Sequence, residues 1–263
     1  MRDGWQELAG LVLPVDCAGC GAVRVLVCAE CRDALSGAGE GPVRPSPRPA
    51  GLPVVRAAAV YEGAVRSLLL AHKERGALPL AGVLGAGLAA AVLAGGVGGA
   101  GGAGGAGDVA LVPVPSARRQ VRARGHDPAR RIARAAAGRL RRAGVPARVA
   151  PVLGLRRAVA DQAGLGARQR RENLAGALAV RRGGWRLMAG AARIVLVDDL
   201  ITTGATLAEA ARAVRAAGLV AGPGIGPGAV LRAAVVAAPA DSFRRVERAP
   251  RLCAPRTEQK SCE

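Results

Sequence analysis

Apolar and polar residues alternate along the chain in two patterns. Short runs that are apolar throughout predict buried strands, whereas apolar residues at helical spacing predict helices. The predicted strands are 54–61, 109–115, 145–153, 177–182, 194–199 and 229–238. The predicted helices are 63–75, 78–94, 126–144 and 206–218. Because the strands lack polar alternation and follow one another with helices between, they predict an α/β fold with helices on both faces of a parallel sheet.

Capping residues support two of these helices. Asp127 is a suitable N-cap and Pro128 suits the first turn that follows it. Thr206 and Glu209 have the spacing of a capping box at the start of 206–218. Because about half of the residues are apolar but very few are aromatic, the core is built from small side chains. Such a core lets helices approach closely.

The uncharged stretch at 77–107 is long enough to raise the question of a membrane span. Its glycine content favours a buried helix at 78–94, followed by a flexible linker at 95–107, and no membrane span. The run at 99–104 fits G-x-G-x-x-G but has no strand before it, so we reject it as a dinucleotide site. No signal peptide is visible at the N-terminus, so we expect a cytoplasmic protein.

Four of the six cysteines form two closely spaced C-x-x-C pairs, namely Cys17, Cys20, Cys28 and Cys31. Two such pairs supply four thiolates for one tetrahedral, structural Zn²⁺, with a tight hairpin at 23–27 between them. Disulfides, free thiols and a redox pair are the alternatives. The sequence therefore predicts a zinc-ribbon-like module at 1–36, a Pro- and Gly-rich linker at 37–53, a main domain at 54–238 and a disordered tail at 239–263.

The formal net charge of +19 comes almost entirely from arginine, with Lys73 and Lys260 as the lysines. An anionic partner such as nucleic acid, a membrane surface or a phosphorylated substrate would explain this charge. A compositional bias that replaces lysine with arginine explains it equally well. The scarcity of aromatic residues argues against base stacking as a binding mode.

A group of chemically distinctive residues follows the predicted strand 194–199. Two adjacent acids suit sugar hydroxyls or Mg²⁺, and the hydroxyl- and glycine-containing loop leading into a helix suits a phosphate. The acids are Asp198 and Asp199, and the loop residues are Thr202, Thr203, Gly204, Ala205 and Thr206. This combination predicts a site for ribose 5-phosphate. A Walker-type ATPase is excluded because the chain has no G-x-x-x-x-G-K-[ST] motif.

The segment VLVDDLITTGAT at 195–206 closely resembles the motif with which type I phosphoribosyltransferases bind phosphoribosyl pyrophosphate (PRPP). The resemblance implies a type I phosphoribosyltransferase-like fold and PRPP bound with Mg²⁺. It also implies that Asp198 and Asp199 hold the ribose hydroxyls as catalytic residues, and that the loop 202–206 cradles the 5-phosphate.

Three further segments narrow the resemblance to the ComF family. They are 61–76, with Tyr61, Gly63, Lys73 and Gly76; 112–133, which begins VPVP; and 161–180, with Gln162, Leu165, Arg170 and Asn173. The four-cysteine module also fits this family. The chain departs from it at His126 and Asp127, which stand at an aromatic and an asparagine position. We expect His126 to be a cap or a solvent-facing residue, with a functional role as the alternative.

Arginines are concentrated in two segments near the proposed site. Those in a predicted polar loop after 109–115 suit a pyrophosphate; they are Arg118, Arg119, Arg122 and Arg124. Those in the second segment resemble the mobile catalytic loop of the superfamily, where a lid would close over PRPP; they are Arg168, Arg170 and Arg171.

These observations support three functional hypotheses. The first is an enzyme that transfers the phosphoribosyl group between PRPP, or a nucleotide, and a nitrogenous acceptor. The second, drawn from the ComF resemblance, is a non-catalytic accessory factor for competence and DNA uptake that binds single-stranded DNA or a helicase partner. The third is a regulator that binds PRPP without turnover. No residue in the sequence indicates which base or amine is the acceptor, nor the oligomeric state.

Overall fold

The computed structural model describes residues 16–36, 42–97, 108–157, 166–220 and 229–243. Its helices are α1 Ala29–Ser36, α2 Gly63–Lys73, α3 Ala81–Val92, α4 Arg118–Arg124, α5 Pro128–Arg142, α6 Ala167–Leu174 and α7 Ala205–Ala216. Its strands are β1 Val55–Val60, β2 Val109–Pro113, β3 Ala147–Val149, β4 Leu153–Leu155, β5 Leu178–Val180, β6 Arg193–Leu200 and β7 Val230–Ala238. The predicted α/β class is confirmed.

The main sheet has five parallel strands in the order β1-β7-β6-β2-β3. Two of the sequence predictions for strands were wrong in detail. The predicted strand 145–153 is divided between β3 and β4, because Pro151 lies between them and cannot donate a ladder hydrogen bond. The strand predicted at 177–182 is β5, which pairs with β4 in a separate antiparallel sheet.

Helices cover both faces of the main sheet, as the apolar strands predicted. On one face α2, α3 and α5 pack through residues such as Leu68, Leu84 and Ile132 onto Val195 and Val197 of β6. On the other face α7 packs against the remaining residues of the same strands; the buried side chains here include Leu196, Leu207, Val214 and Val235.

The close helix approach expected from small side chains is found between α3 and α5. A Cβ atom added at Gly85 of α3 would lie 2.5 Å from Cβ of Ala135 and 2.9 Å from the backbone nitrogen of Ala136. Real Cβ atoms essentially never lie that close to other atoms. Glycine is therefore required at this crossing for the two helices to pack as they do.

Helix starts match the sequence predictions at one helix and not at the other. Asp127 is the N-cap of α5, and its side chain accepts a hydrogen bond from Arg130 N. The prediction of a capping box at Thr206 and Glu209 was wrong, because α7 begins at Ala205 and its N-cap is Gly204. The Glu209 carboxylate instead accepts hydrogen bonds from Leu178 N at 3.0 Å and from the Arg212 guanidinium at 2.7 Å, which ties α7 to β5.

Two arginine-rich helices were missed by the sequence analysis. The polar loop predicted to hold Arg118–Arg124 is helix α4, and part of the predicted mobile loop is helix α6. Neither helix buries an apolar stripe long enough to give a periodic signal. The rest of that predicted lid, 158–165, lies outside the described residues.

Part of the predicted linker packs on the main domain. Val43 pairs with Val55 of β1 and with Phe243, and both Val43 and Leu52 are buried. The first residues of the predicted tail form a short helix at Ala240–Ser242, whereas 244–263 lie outside the described residues. The segment 42–53 is therefore built into the folded structure.

Within the described residues, one helical stretch, Leu78–Gly96, is long and apolar enough to cross a membrane by length and composition. Core helices of soluble proteins meet the same test, so it is weak support for a span. In this chain Leu84, Leu88 and Val92 of the stretch are buried in the core.

Candidate functional site

The candidate site lies where the sheet topology changes direction. From β2 the chain passes through α4 and α5 to β3 at one edge of the sheet, whereas from β6 it passes through α7 to β7 on the other side. Neighbouring strands β2 and β6 therefore send their following loops in opposite directions. In open α/β sheets, ligands bind in the crevice at the carboxyl ends of such strands.

The acids Asp198 and Asp199 lie near the carboxyl end of β6, beside this crevice. Successive strand residues point to opposite faces, so Asp199 shares the face of Val197, where α2 lies, and Asp198 shares the face of Leu196, where α7 lies. Asp199 is 6% exposed, and its Oδ2 is 2.7 Å from Nζ of Lys73, the last residue of α2. Asp199 N also donates to Asp198 Oδ1 at 2.9 Å.

The surroundings of the acid pair change the pKa values of Asp198 and Lys73. Burial raises the pKa of Asp198 well above its usual value, and the negative charge of Asp199 raises it further, against an opposing effect of Lys73. Burial lowers the pKa of Lys73, but the carboxylates of Asp199 and Asp198 outweigh it, so that pKa is raised. Lys73 therefore stays charged and balances an acid pair that is costly to ionise completely.

The loop after β6 delivers the predicted phosphate-binding residues to the start of α7. Gly204 has a positive φ of 74°, which favours glycine, and Ala205 N donates to Thr203 Oγ1 at 3.4 Å. The first turn of α7 contains no acid, and the first N–H groups of any α-helix have no partner within the helix. Such a helix start attracts anions.

The segment 42–53 covers Gly204 from the other side. A Cβ atom at Gly204 would lie 3.1 Å from Leu52 Cδ2 and 3.1 Å from Pro45 Cγ. Both side chains are buried. They pack against the outer surface of the loop. The conformation of the loop therefore depends on residues more than 150 positions earlier in the sequence.

The predicted pyrophosphate arginines lie on α4, beside a cleft. Arg119 and Arg124 line this cleft of about 640 Å³ with Gln120, Glu74 and neighbouring residues of the α2 end. The Arg124 guanidinium already binds the Glu74 carboxylate, at 2.7 Å and 3.0 Å. Arg119 and Arg122 are exposed, and none of the ion pairs among the described residues involves them. The two other predicted arginines are Arg118, which begins α4, and Arg170, which lies on α6.

His126 does not have either of the environments expected for it, a helix cap or a solvent-facing position. It is 8% exposed, with Nδ1 3.0 Å from Arg124 O and Nε2 3.1 Å from His72 O. The expectation of a cap or a solvent-facing residue was therefore wrong. His126 joins the end of α2 to the turn between α4 and α5.

Sequence reasoning did not assign Lys73 or Glu74 to the site, although both contact predicted site residues. The sequence does mark Lys73 as unusual, because it and Lys260 are the only lysines among 38 lysine and arginine residues. A chain that uses arginine almost everywhere keeps lysine at the position facing Asp199. Glu74 carried no such signal.

The four cysteines form a second candidate site near the N-terminus. Their Sγ atoms all lie within 4.8 Å of one another, with 3.8 Å between Cys17 and Cys28 and 3.5 Å between Cys20 and Cys28. Sulfur atoms around a tetrahedral Zn²⁺ at about 2.3 Å would be roughly 3.8 Å apart. All four are free thiols, so the cluster can bind a metal ion such as zinc.

Local structure around the cysteines differs from the predicted hairpin. Residues 21–28 form turns and bends, and α1 begins directly afterwards and carries Cys31. Burial raises the pKa of the Cys17 thiol, but the backbone N–H groups of Cys20, Cys28 and Gly19 outweigh this effect and lower it to about 6. Thiolates are the form of cysteine that binds metal, and the lowered pKa of Cys17 favours that form, whereas the pKa values of Cys28 and Cys31 are raised.

Comparison with known proteins adds no identification. No protein-family model matches the chain, and no curated protein has significant sequence similarity to it.

Proposed function

We propose that this chain is a phosphoribosyltransferase-like protein of type I architecture that binds PRPP and transfers its phosphoribosyl group to or from a nitrogenous acceptor. One observation supports the proposal: an acid pair, a short loop and the start of a helix without acids in its first turn follow one another directly, at the point where the sheet changes direction. A phosphate and a sugar hydroxyl pair need these two kinds of group side by side.

Each part of the site has a distinct task in this proposal. The N–H groups at the start of α7 and the hydroxyls of Thr202, Thr203 and Thr206 bind the 5-phosphate. Asp198 and Asp199 accept hydrogen bonds from the ribose hydroxyls. The exposed guanidinium groups of α4, on Arg119 and Arg122, contact the pyrophosphate from the neighbouring β2 side of the crevice.

The acid pair also suits the Mg²⁺ that accompanies PRPP, because carboxylate oxygens are the ligands this ion prefers. When bound, the metal supplies positive charge near the departing pyrophosphate. In the reaction the bond between ribose C1 and the pyrophosphate oxygen breaks, and the pyrophosphate keeps the electron pair. The acceptor nitrogen forms the new bond to C1 and loses its proton. The arginines stabilise the leaving charge, a contribution of the kind that usually dominates such catalysis.

The test is calorimetric titration of PRPP with Mg²⁺ into the zinc-loaded protein, alongside an Asp198→Asn/Asp199→Asn double variant. We expect the wild type to bind and the double variant to lose at least tenfold in affinity. Asp241→Asn is the matched control, because this acid is exposed and lies on the short helix after β7. It should bind like the wild type.

Absence of binding by folded wild type would refute this function. The alternative is then a non-catalytic accessory factor that binds single-stranded DNA or a DNA-uptake helicase. Helix α5 supports that alternative, since it exposes Arg130, Arg134, Arg139, Arg141 and Arg142 and contains no acidic residue. Affinity for single-stranded DNA that falls steeply with salt would be its signature.

We also propose that the cysteine cluster holds a structural Zn²⁺. Four protein thiolates complete a tetrahedral shell and leave no open position for a substrate. The metal would therefore stabilise the fold and take no part in the transfer reaction.

A further inference from the structure

A second cavity lies at the end of the sheet opposite the acid pair. It has a volume of about 180 Å³ and is lined by Arg56, Arg232 and small or apolar residues that include Val54, Val92 and Val195. Arg56 is the second residue of β1, and Arg232 is the third residue of β7. These two arginines are the charged residues of an otherwise apolar lining.

The strand register places both arginines on one face. Arg56 pairs with Ala234, which lies two residues after Arg232 on the neighbouring parallel strand. Residues two apart on a strand point the same way, so both side chains extend toward the end of α3. Strand spacing and rise place their Cα atoms about 8 Å apart, within reach of two long side chains converging on one ligand.

Neither arginine has an anionic partner among the described residues. Arg56 Nε is buried without a hydrogen-bond partner. Arg232 donates to the carbonyl oxygen of its own neighbour, Leu231, at 3.4 Å. The two segments that continue the chain from described residues, 98–107 after Val97 and 221–228 after Val220, contain no charged residue in the sequence.

This arrangement is unfavourable unless something occupies the cavity. A buried N–H donor without an acceptor loses the hydrogen bonds it made to water, and two nearby guanidinium groups repel each other. The end of α3 carries a partial negative charge of about half a unit, which offsets only part of two full positive charges. An oxyanion between the arginines would satisfy the Nε donor and balance the charge.

We propose that Arg56 and Arg232 form a binding site for a small, doubly charged oxyanion of the phosphate class. Two guanidinium groups match a phosphoryl group, which carries a charge of about −1.5 to −2 near neutral pH. The cavity is smaller than the roughly 300–1,000 Å³ that drug-sized ligands occupy. It therefore accepts free phosphate or the phosphoryl end of a larger molecule, and not a whole buried nucleotide.

The experiment is titration of inorganic phosphate into the full-length, zinc-loaded protein, followed through the NMR signal of the Arg56 Nε–H group. That signal is assigned by its loss in Arg56→Met. We expect phosphate to shift it in a saturable way, and Arg232→Met to weaken the apparent affinity at that signal at least tenfold. Because this signal is local, phosphate binding at the start of α7 does not interfere with the measurement.

Three controls make the result decisive. Arg182→Met removes an exposed arginine after β5 and should leave the phosphate affinity unchanged. Arg56→Lys keeps the charge but lacks the Nε donor, so phosphate should protect this variant less than the wild type against thermal unfolding. This comparison remains possible even if Arg56→Met folds poorly. Sodium chloride and acetate at matched ionic strength should shift the Arg56 signal much less than phosphate.

Two outcomes would overturn the proposal. One is an Arg56 signal that phosphate does not move, as expected if an acid of this chain already occupies the cavity. The other is an equal response to chloride, acetate and phosphate, which would mean that the arginines are only a general basic surface. Neither outcome depends on PRPP binding, so this site and the proposed function succeed or fail separately.

Discussion

Lys73 supplies the positive charge beside the acid pair in the folded chain. Its ammonium group is 2.7 Å from Asp199, whose side chain is only 8% exposed, and Lys73 itself is about one third exposed. An ammonium group is a compact point charge, whereas arginine presents a planar fork that needs more space and a different set of acceptors. This difference makes lysine suitable for the position facing Asp199, in a chain that has one other lysine.

We expect Lys73→Met to lower the free energy of unfolding by about 1–3 kcal/mol, because it leaves a buried carboxylate without its counterion. Urea denaturation measures this loss. Adding Asp199→Asn to Lys73→Met should restore most of the stability, since the uncompensated charge is then removed.

Arg168→Met is the comparison for Lys73→Met. It breaks the Arg168–Glu172 pair of α6, whose side chains are 85% and 62% exposed. Exposed pairs contribute little, so this change should cost less than about 0.5 kcal/mol. Equal effects of the two substitutions would contradict the role given to Lys73.

At this scale, sequence reasoning found what lies close together in the chain. The residues from Asp198 to Thr206 form one continuous segment, so their proximity was visible in the motif itself. Lys73 contacts Asp199 across more than 120 positions, and the bond between His126 and His72 spans 54. A single sequence does not encode such contacts in any local pattern, which is why these partners were missed.

Among the elements, the crossing of α3 and α5 depends on the absence of one side chain. We expect Gly85→Ala to destabilise the protein by about 1–3 kcal/mol, because its Cβ would overlap Ala135 and the α5 backbone. Gly82→Ala on the same helix is the control, since a Cβ there meets nothing within 4 Å. It should raise stability by about 0.5–1 kcal/mol through helix propensity.

Thermal or urea unfolding measures the stability of the two variants, which should fall for Gly85→Ala and rise for Gly82→Ala. If Gly85→Ala were as stable as Gly82→Ala, the helices would have room to separate, and the close packing of α3 on α5 would be disproved.

Elements with a strong apolar signal were predicted well, and the others were not. The strands β1, β2, β6 and β7 are buried along most of their length, so an apolar run identifies them from sequence alone. Helices α4 and α6 consist largely of arginine and other polar residues, so their hydrophobic pattern does not distinguish them from loops. Helix α4 nevertheless determines where the predicted pyrophosphate arginines lie.

Across the whole molecule, the cysteine cluster and the sheet share one core. Cys17, Cys31 and Leu35 belong to the same buried cluster as Leu84 and Leu88 of α3. Metal binding near the N-terminus is therefore expected to support the main sheet as well as its own loops. The composition of 37–53 suggested a separate module, and it gave no sign of this shared packing.

We expect removal of zinc by a strong chelator to lower the unfolding midpoint of the entire protein by roughly 5 °C or more, since each kcal/mol corresponds to about 2–4 °C for a chain of this size. Calorimetry would show one shifted transition. Cys31→Ser should reproduce the shift, whereas Cys262→Ser, which is not part of either C-x-x-C pair, should not. A main transition that stays in place would mean that the cluster folds independently.

The contact of Pro45 and Leu52 with Gly204 has a consequence for dividing the chain. Composition alone would place the start of the main domain at residue 54. A chain cut there would keep every residue of the acid pair and the loop, yet it would lose the two side chains that fill the space above the loop glycine. A fragment must therefore begin near residue 42 to retain the environment of the loop. If a fragment that begins at residue 54 failed to bind PRPP, the loss of these two supporting side chains would be a sufficient reason, and the result would not show that the acid pair and the loop bind no ligand.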